Sequence, residues 1–119
     1  MKTVHPNHDY ISSEDVEGSK VFDRNDQKIG EIDHLMIDKY SGQVVYAVLS
    51  FGGLLGLDHN HYPLPWAKLS YDKELDGFRT DVSEKQLKDS PEFSDDSWKS
   101  RDWETRLNDY YDQPPYWAP

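Results

Sequence analysis

The longest apolar run in the sequence covers residues 44–51 and reads VVYAVLSF. Side chains alternate between the two faces of a strand, and here both faces would be apolar apart from Ser50. A sheet with one solvated face would instead alternate apolar and polar residues. The run therefore predicts a central strand with a core on one side and a second layer, or a partner, on the other. Its β-branched and aromatic content favours a strand over a helix.

Two shorter patterns before this run predict further strands. The triplet KVF at residues 20–22 predicts a first short strand, and residues 28–38 predict a second. In the second strand, Ile32 lies at an even-numbered position, whereas Leu35 and Ile37 lie at odd-numbered positions. An unbroken strand would therefore place Ile32 on the opposite face from the other two. One extra residue near positions 33–34 would place all three on one side, which predicts a β-bulge of the kind that curls a sheet.

Turn residues and prolines punctuate the rest of the pattern. Gly42 is expected to supply a positive φ in the turn before the central strand. The two prolines of the YPLPW segment, residues 62–66, lack the N–H of a central strand and predict an edge strand or a strand-entry segment. Asp76 and Gly77 lie between two short apolar runs and predict a closing hairpin. Ser83 and Gln86 have the spacing of a capping box, which predicts a short helix.

The C-terminal segment combines acidic residues with three of the four tryptophans of the chain. Trp103, Leu107, Tyr110 and Tyr111 have the spacing of one helix face, and two prolines follow. An apolar stripe of this kind needs cover. Packing on the chain's own sheet or on a dimer mate is the simpler interpretation, and a foreign partner is the alternative.

Composition and charge narrow the function classes. The 119 residues provide for one domain and a tail, and the formal charge of −10 disfavours direct contact with the polyanionic backbone of a nucleic acid or an anionic membrane. A basic or neutral partner fits this charge better. There is no cysteine, which excludes disulfides and thiolate chemistry. No apolar run is long enough to span a membrane, so a cytoplasmic protein is expected.

Several short motifs together resemble the PRC-barrel domain. The resemblance rests on IGEI at residues 29–32, ID at 37–38, SGQV at 41–44, GGLLG at 52–56, PW at 65–66 and PEF at 91–93. This domain is the small β-barrel of the cytoplasmic part of the photosynthetic reaction centre H subunit, and it also occurs in the ribosome maturation factor RimM. Its motif positions in this sequence are Gly30, Asp38, Gly42, Gly52, Gly53, Gly56, Pro65 and Trp66.

The resemblance implies a mainly all-β fold, a small closed barrel of about six antiparallel strands with a short helix after it and an aromatic helical tail. It also implies a non-catalytic role in docking onto larger assemblies. We expect a loose arm at residues 1–12, the barrel domain at 13–93 and the acidic aromatic tail at 94–119. A stand-alone protein of this type is the closest description.

Candidate contact residues lie in two places. One is the Gly/Leu loop, residues 52–57, after the central strand, and the other is the tail. They are Leu54, Leu55, Leu57, Trp103, Leu107, Tyr110, Tyr111 and Trp117. Leucines on a flexible loop would be exposed unless they fold back on the core or meet another chain. One small barrel has too few places to hide all these apolar side chains, which predicts a homodimer.

Candidate chemistry is sparse. His59 and His61 lie on one side of an extended segment and are weak candidates for a zinc or nickel site, although solvated loop histidines are the simpler interpretation. No catalytic residue and no cofactor are expected. The leading hypothesis is therefore a protein-interaction module, which could act at the cytoplasmic face of a membrane electron-transfer complex. The alternatives are an adaptor in RNA processing or ribosome assembly, acting through protein contacts, and a metal-dependent enzyme.

Overall fold

The structure, a computed structural model, describes residues 10–51 and 61–118. Six strands form one sheet: β1 Lys20–Phe22, β2 Lys28–Ile37, β3 Val44–Ser50, β4 His61–Pro65, β5 Ser70–Asp72 and β6 Gly77–Arg79. Three α-helices accompany them: α1 Ser13–Val16, α2 Glu84–Lys88 and α3 Arg101–Tyr110. Two 3₁₀ turns cover Trp66–Lys68 and Asp95–Lys99. A mainly β architecture is thus confirmed.

The strands lie in the order β4-β3-β2-β1-β6-β5. Strand β3 is paired on both sides, so the apolar run forms a central strand, as predicted. Strand β4 lies at an edge, as its prolines predicted. All pairs are antiparallel except β1 with β6, which is parallel. The prediction of an all-antiparallel sheet is therefore wrong for this one pair, because the chain reaches β6 from the far edge rather than through a hairpin with β1.

The sheet curls strongly, although it keeps two edges. Pro65 at the end of β4 and Ser70 at the start of β5 are five residues apart, which is at most about 18 Å of chain. A flat six-stranded sheet would separate its edge strands by about 24 Å. The sheet thus approaches the predicted closed barrel, but among the described residues its two edge strands, β4 and β5, do not pair.

The predicted β-bulge is present in β2. Ile32 pairs with Leu49 and His34 pairs with Val48, which leaves Asp33 as the extra residue. A second register shift follows between Met36 and Ile37. Ile32 is therefore buried, whereas Ile37 is 55% exposed and does not share its face as expected.

The turns follow the chemistry of their residues. Gly42 has a φ of +78°, as predicted, and donates its N–H to the carbonyl oxygen of Asp38. The hairpin through Asp76 joins β5 to β6, with Asp76 itself at a positive φ. Ser83 and Gln86 form both hydrogen bonds of the predicted capping box at the start of α2. Local sequence thus determines these connections.

One core of buried apolar residues joins the sheet to the C-terminal tail. Leu49, Leu64 and Val21 are fully buried in it. Trp103 and Leu107 of α3 belong to the same cluster of buried residues. The tail therefore packs on the chain's own sheet, which is the simpler of the two interpretations given above. Within the described residues, no helix has the length and apolar character needed to cross a membrane.

Candidate interaction surface

The outward side of β3 is covered by the tail. The ring of Tyr46 lies 5.4 Å from the ring of Trp98 and 6.4 Å from that of Tyr116. Trp98 in turn packs edge-on against Trp103, whose indole N–H donates to the carbonyl oxygen of Glu92. This chain of aromatic contacts fixes the tail, because each ring is held by its neighbours.

A buried polar network lies beneath these rings. Tyr46 donates its hydroxyl hydrogen to Glu104 Oε1 over 3.0 Å, and Asn108 Nδ2 donates to the Tyr46 oxygen over 3.0 Å. Asn108 also donates to the main-chain oxygen of Glu104. Burial is the main cause that raises the pKa of Tyr46; the bond from Asn108 opposes the rise and the charge of Glu104 adds to it. Tyr46 therefore stays a hydrogen-bond donor at neutral pH.

A small cavity of about 130 Å³ opens beside this network. The β2–β3 hairpin and the tail form its walls, which are Met36, Ile37, Asp38, Val45, Tyr46, Trp98, Glu104 and Tyr116. We call it the Glu104 pocket. Residues 36–46 of the hairpin, together with Trp98, Glu104, Tyr116 and Trp117 of the tail, form what we call the hairpin–tail surface.

Asp38 gives the Glu104 pocket a second acidic group. Its carboxylate accepts hydrogen bonds from the backbone N–H groups of Tyr40 and Ser41. The pKa of Asp38 is lowered, mainly by hydrogen bonding from the side chain of Ser41 and further by these two N–H groups. Asp38 is therefore ionised at neutral pH.

Large apolar side chains are exposed on the hairpin and the tail that form this pocket. Ile37 is 55% exposed, and Tyr40 in the hairpin turn is 88% exposed. On the tail side Tyr116 and Trp117 are 46% and 38% exposed, and their rings pack edge to face. The Arg101 guanidinium lies 3.9 Å from the centre of the Trp117 ring. Exposed aromatic and aliphatic groups beside a pocket are typical of a protein-binding surface.

The contact residues predicted from the sequence fall into three groups. Leu54, Leu55 and Leu57 lie outside the described residues, as do Gly52, Gly53 and Gly56. In the tail, Trp103, Leu107 and Tyr111 are buried against the chain's own core. Tyr110 and Trp117 are partly exposed, and the Tyr110 hydroxyl donates to the carbonyl oxygen of Gln86. Of the predicted contact residues, only Trp117 belongs to the hairpin–tail surface.

Three of the described motif positions, Gly30, Pro65 and Trp66, have structural roles. A Cβ on Gly30 would lie 2.9 Å from the carbonyl oxygen of Ser50 on β3, so β2 and β3 need a glycine there. Pro65 ends β4, and the Trp66 ring packs 5.5 Å from that of Phe78 across the curl of the sheet. Trp66 therefore contacts β6 from the 3₁₀ turn that follows β4.

The two histidines that the structure describes, His34 and His61, do not line the Glu104 pocket. His61 opens β4, and its Nε2 is 3.6 Å from Asp33 Oδ2, while His34 Nδ1 is 2.7 Å from the same oxygen. Within the described part of the chain no three acidic or histidine side chains are placed to hold a metal ion. His59 lies outside those residues, as do His5 and His8.

Sequence reasoning missed most of the hairpin–tail surface. The sequence pattern singled out neither Tyr46 nor Glu104 as a site residue. Their contact spans 58 positions of sequence, and no local pattern records it. The spacing of Glu104 and Asn108, one helical turn apart and next to the apolar stripe, was the available signal, because polar residues there become buried when the stripe docks.

Comparison with known proteins identifies the fold family. The family model for the PRC-barrel domain matches residues 8–87, more than half of the chain. No curated protein matches the sequence. Among solved structures, a 16S ribosomal RNA processing protein RimM from Pseudomonas aeruginosa is similar at 25% identity and a TM-score of 0.42. The likeness covers 66% of this chain and 48% of that protein, so the chain spans about half its length. The match to the family model shows that this chain belongs to the PRC-barrel domain family.

Proposed function

We propose that this chain is a non-catalytic protein-interaction module that docks a partner on its hairpin–tail surface. The observation that carries the proposal is the group of large apolar side chains left exposed around the Glu104 pocket. Ile37, Tyr40, Tyr116 and Trp117 have exposed fractions between 38% and 88%. Interface cores are enriched in such aromatic residues, and burying them supplies most of the free energy of association.

The charge of the chain favours a protein over a nucleic acid as the partner. A net charge of −10 repels phosphate backbones, whose binding depends on lysine and arginine contacts that release counterions. The same charge attracts a basic protein surface and accelerates its association. The partner is therefore a neutral or basic protein.

Two cellular settings accommodate this role. One is an adaptor in RNA processing or ribosome assembly that acts through protein contacts. The other is docking at the cytoplasmic face of a membrane electron-transfer complex. The identity of the captured partner decides between them.

Quantitative affinity capture from cell extract tests the proposal. The bait is the full chain, compared with an Ile37→Ser/Tyr40→Ser variant that removes two exposed apolar groups from the hairpin–tail surface. Tyr71→Ser is the matched control, because Tyr71 is 42% exposed and lies on β5, at the opposite edge of the sheet. All three proteins must first give the same circular dichroism spectrum.

The proposal predicts a protein that the wild type and the control capture and the double variant loses. Ribosomal or ribosome-assembly proteins would indicate the first setting, and subunits of an electron-transfer complex the second. A partner retained equally by all three baits would overturn the assignment of the docking surface.

A further inference from the structure

We propose that the Glu104 pocket receives a cationic side chain, a lysine or an arginine, from the docked partner. The inference rests on the proposed function and specifies the chemistry of its central contact. It follows from a buried acid, the aromatic walls beside it and the size of the cavity.

The pocket contains a buried acid. Glu104 is only 8% exposed and lines the pocket. Its Oε1 accepts the Tyr46 hydroxyl, a neutral donor. Among the described residues no lysine, arginine or histidine lies within ion-pair distance of this side chain. Burying a carboxylate without a counter-charge is unfavourable, so a cation that enters the pocket gains a charge-assisted hydrogen bond and neutralises the site.

The pocket also has aromatic walls. Tyr46, Trp98 and Tyr116 all line the pocket, and the rings of Trp98 and Tyr116 both pack against Tyr46. Aromatic faces attract ammonium and guanidinium groups, most strongly where water is partly excluded. Arg101 already shows this preference in the same tail, because its guanidinium lies 3.9 Å from the centre of the Trp117 ring and 5.7 Å from that of Tyr116, a wall of the pocket. Arg101 does not line the pocket.

The size of the cavity and the charge around it favour a single cationic side chain. The cavity of about 130 Å³ is smaller than the roughly 300–1,000 Å³ of a pocket for a small-molecule ligand, and suits one side chain. Asp38 places a second carboxylate at the wall, held ionised by its hydrogen bonds. Two acids without a paired base select a cation over a neutral side chain. A basic segment of a protein presents such a side chain, and the net charge of −10 attracts it.

The test is a nuclear magnetic resonance titration of the ¹⁵N-labelled full chain, following the indole resonance of Trp98. The probes are short, terminally blocked glycine peptides with one central residue: lysine, arginine, or norleucine, which has the lysine stem without the charge. We expect saturable shifts of Trp98 with the lysine or the arginine peptide and none with norleucine. Equal binding of the norleucine peptide, or shifts confined to other residues, would overturn the proposal.

Substitutions assign the binding to the pocket. Glu104→Gln keeps an acceptor for Tyr46 but removes the charge, and should weaken binding by about tenfold or more. Asp109→Asn is the matched control, since it removes the same charge from the exposed side of α3 and should leave the affinity unchanged. Tyr116→Leu removes one partly exposed aromatic wall of the pocket and should weaken binding by about two- to fivefold. An affinity of Glu104→Gln equal to that of the control would also refute the proposal.

Failure of this inference can be told from failure of the proposed function. If a partner is lost by Ile37→Ser/Tyr40→Ser but is retained by Glu104→Gln, and the peptides do not bind, the surface docks a protein without a cation in the pocket. If the peptides bind as expected but no partner depends on Ile37 and Tyr40, the pocket is correct and the docking surface is not.

Discussion

Two buried tyrosine hydroxyls have opposite surroundings in this chain. The Tyr46 hydroxyl bonds to both Glu104 and Asn108. The Tyr111 hydroxyl is buried without a hydrogen-bond partner among the described residues, since the nearby Ser90 hydroxyl donates to the carbonyl oxygen of Leu87. A buried polar group that lacks a partner destabilises the fold, whereas a satisfied one contributes to it.

The pair of tyrosines therefore gives a first prediction. Tyr46→Phe should lower the free energy of unfolding by about 1–3 kcal/mol, because Glu104 and Asn108 lose a buried partner. Tyr111→Phe should leave it unchanged or raise it by about 1 kcal/mol, because no bond is lost. Urea unfolding followed by tryptophan fluorescence measures both. Equal destabilisation by the two substitutions would contradict the hydrogen bonding described for them.

At the residue scale, the sequence predicted what local chemistry decides. The positive φ of Gly42 and the bulge at Asp33 followed from turn preference and from side-chain parity. The exposure of Ile37 did not, because a second register shift after Met36 turns it outward, and no parity pattern marked that shift. The second shift reverses the alternation that the first one sets, so the sequence pattern reveals only one of the two shifts.

At the scale of elements, helix α3 docks the tail on the sheet through its apolar side. Leu107 is fully buried and Trp103 is 4% exposed, both within the cluster that includes Leu49. Arg106, the residue before Leu107, faces solvent. The helix is amphipathic, and its apolar side is part of the core.

The second prediction concerns this helix. Leu107→Ala should lower the free energy of unfolding by about 2–5 kcal/mol, through lost burial and the cavity that remains. Arg106→Ala, the control on the exposed side, should change it by less than about 0.5 kcal/mol. Thermal or urea unfolding gives the comparison. A loss for Leu107→Ala no larger than that of the control would mean that α3 is not docked on the sheet.

The strands and the caps could be predicted, but not how the sheet closes. Prolines placed β4 at an edge, and Ser83 with Gln86 placed the start of α2. The parallel pairing of β1 with β6 and the open edge between β4 and β5 depend on contacts between distant residues. The short strands carry no pattern that would select one partner. The boundaries of the domain at 13–93 and the tail at 94–119 stay predictions.

At the scale of the whole molecule, buried tyrosines give a third prediction. Burial raises the pKa of Tyr46 and of Tyr111 above the ordinary value of 10.0. A group whose folded pKa is raised contributes stability that is fully present below its unfolded pKa and is lost as the pH rises above it. The free energy of unfolding should therefore fall above about pH 10, and fall less steeply in Tyr46→Phe. Urea midpoints measured between about pH 8 and 11 test this, and a flat or rising profile would contradict it.

The homodimer predicted from the sequence stays a prediction. The tail covers the outward side of Tyr46, so the apolar groups that could support self-association are the Gly/Leu loop and the hairpin–tail surface. Light scattering coupled to gel filtration should give twice the monomer mass of 13.9 kDa. Replacing Leu54 and Leu55 with aspartate should yield the monomer if the loop forms the contact. A monomeric mass for the wild type would refute the prediction.

Hydrogen exchange of the chain, measured with and without its captured partner, locates the docking surface directly. The docking surface proposed here comprises the β2–β3 hairpin and the tail. We predict slower exchange in residues 36–46 and 98–117 on binding, while β1, β5 and β6 exchange as in the free chain. Protection confined to β1, β5 and β6, with no change in the hairpin or the tail, would contradict the hairpin–tail surface as the site where this PRC-barrel chain binds a protein.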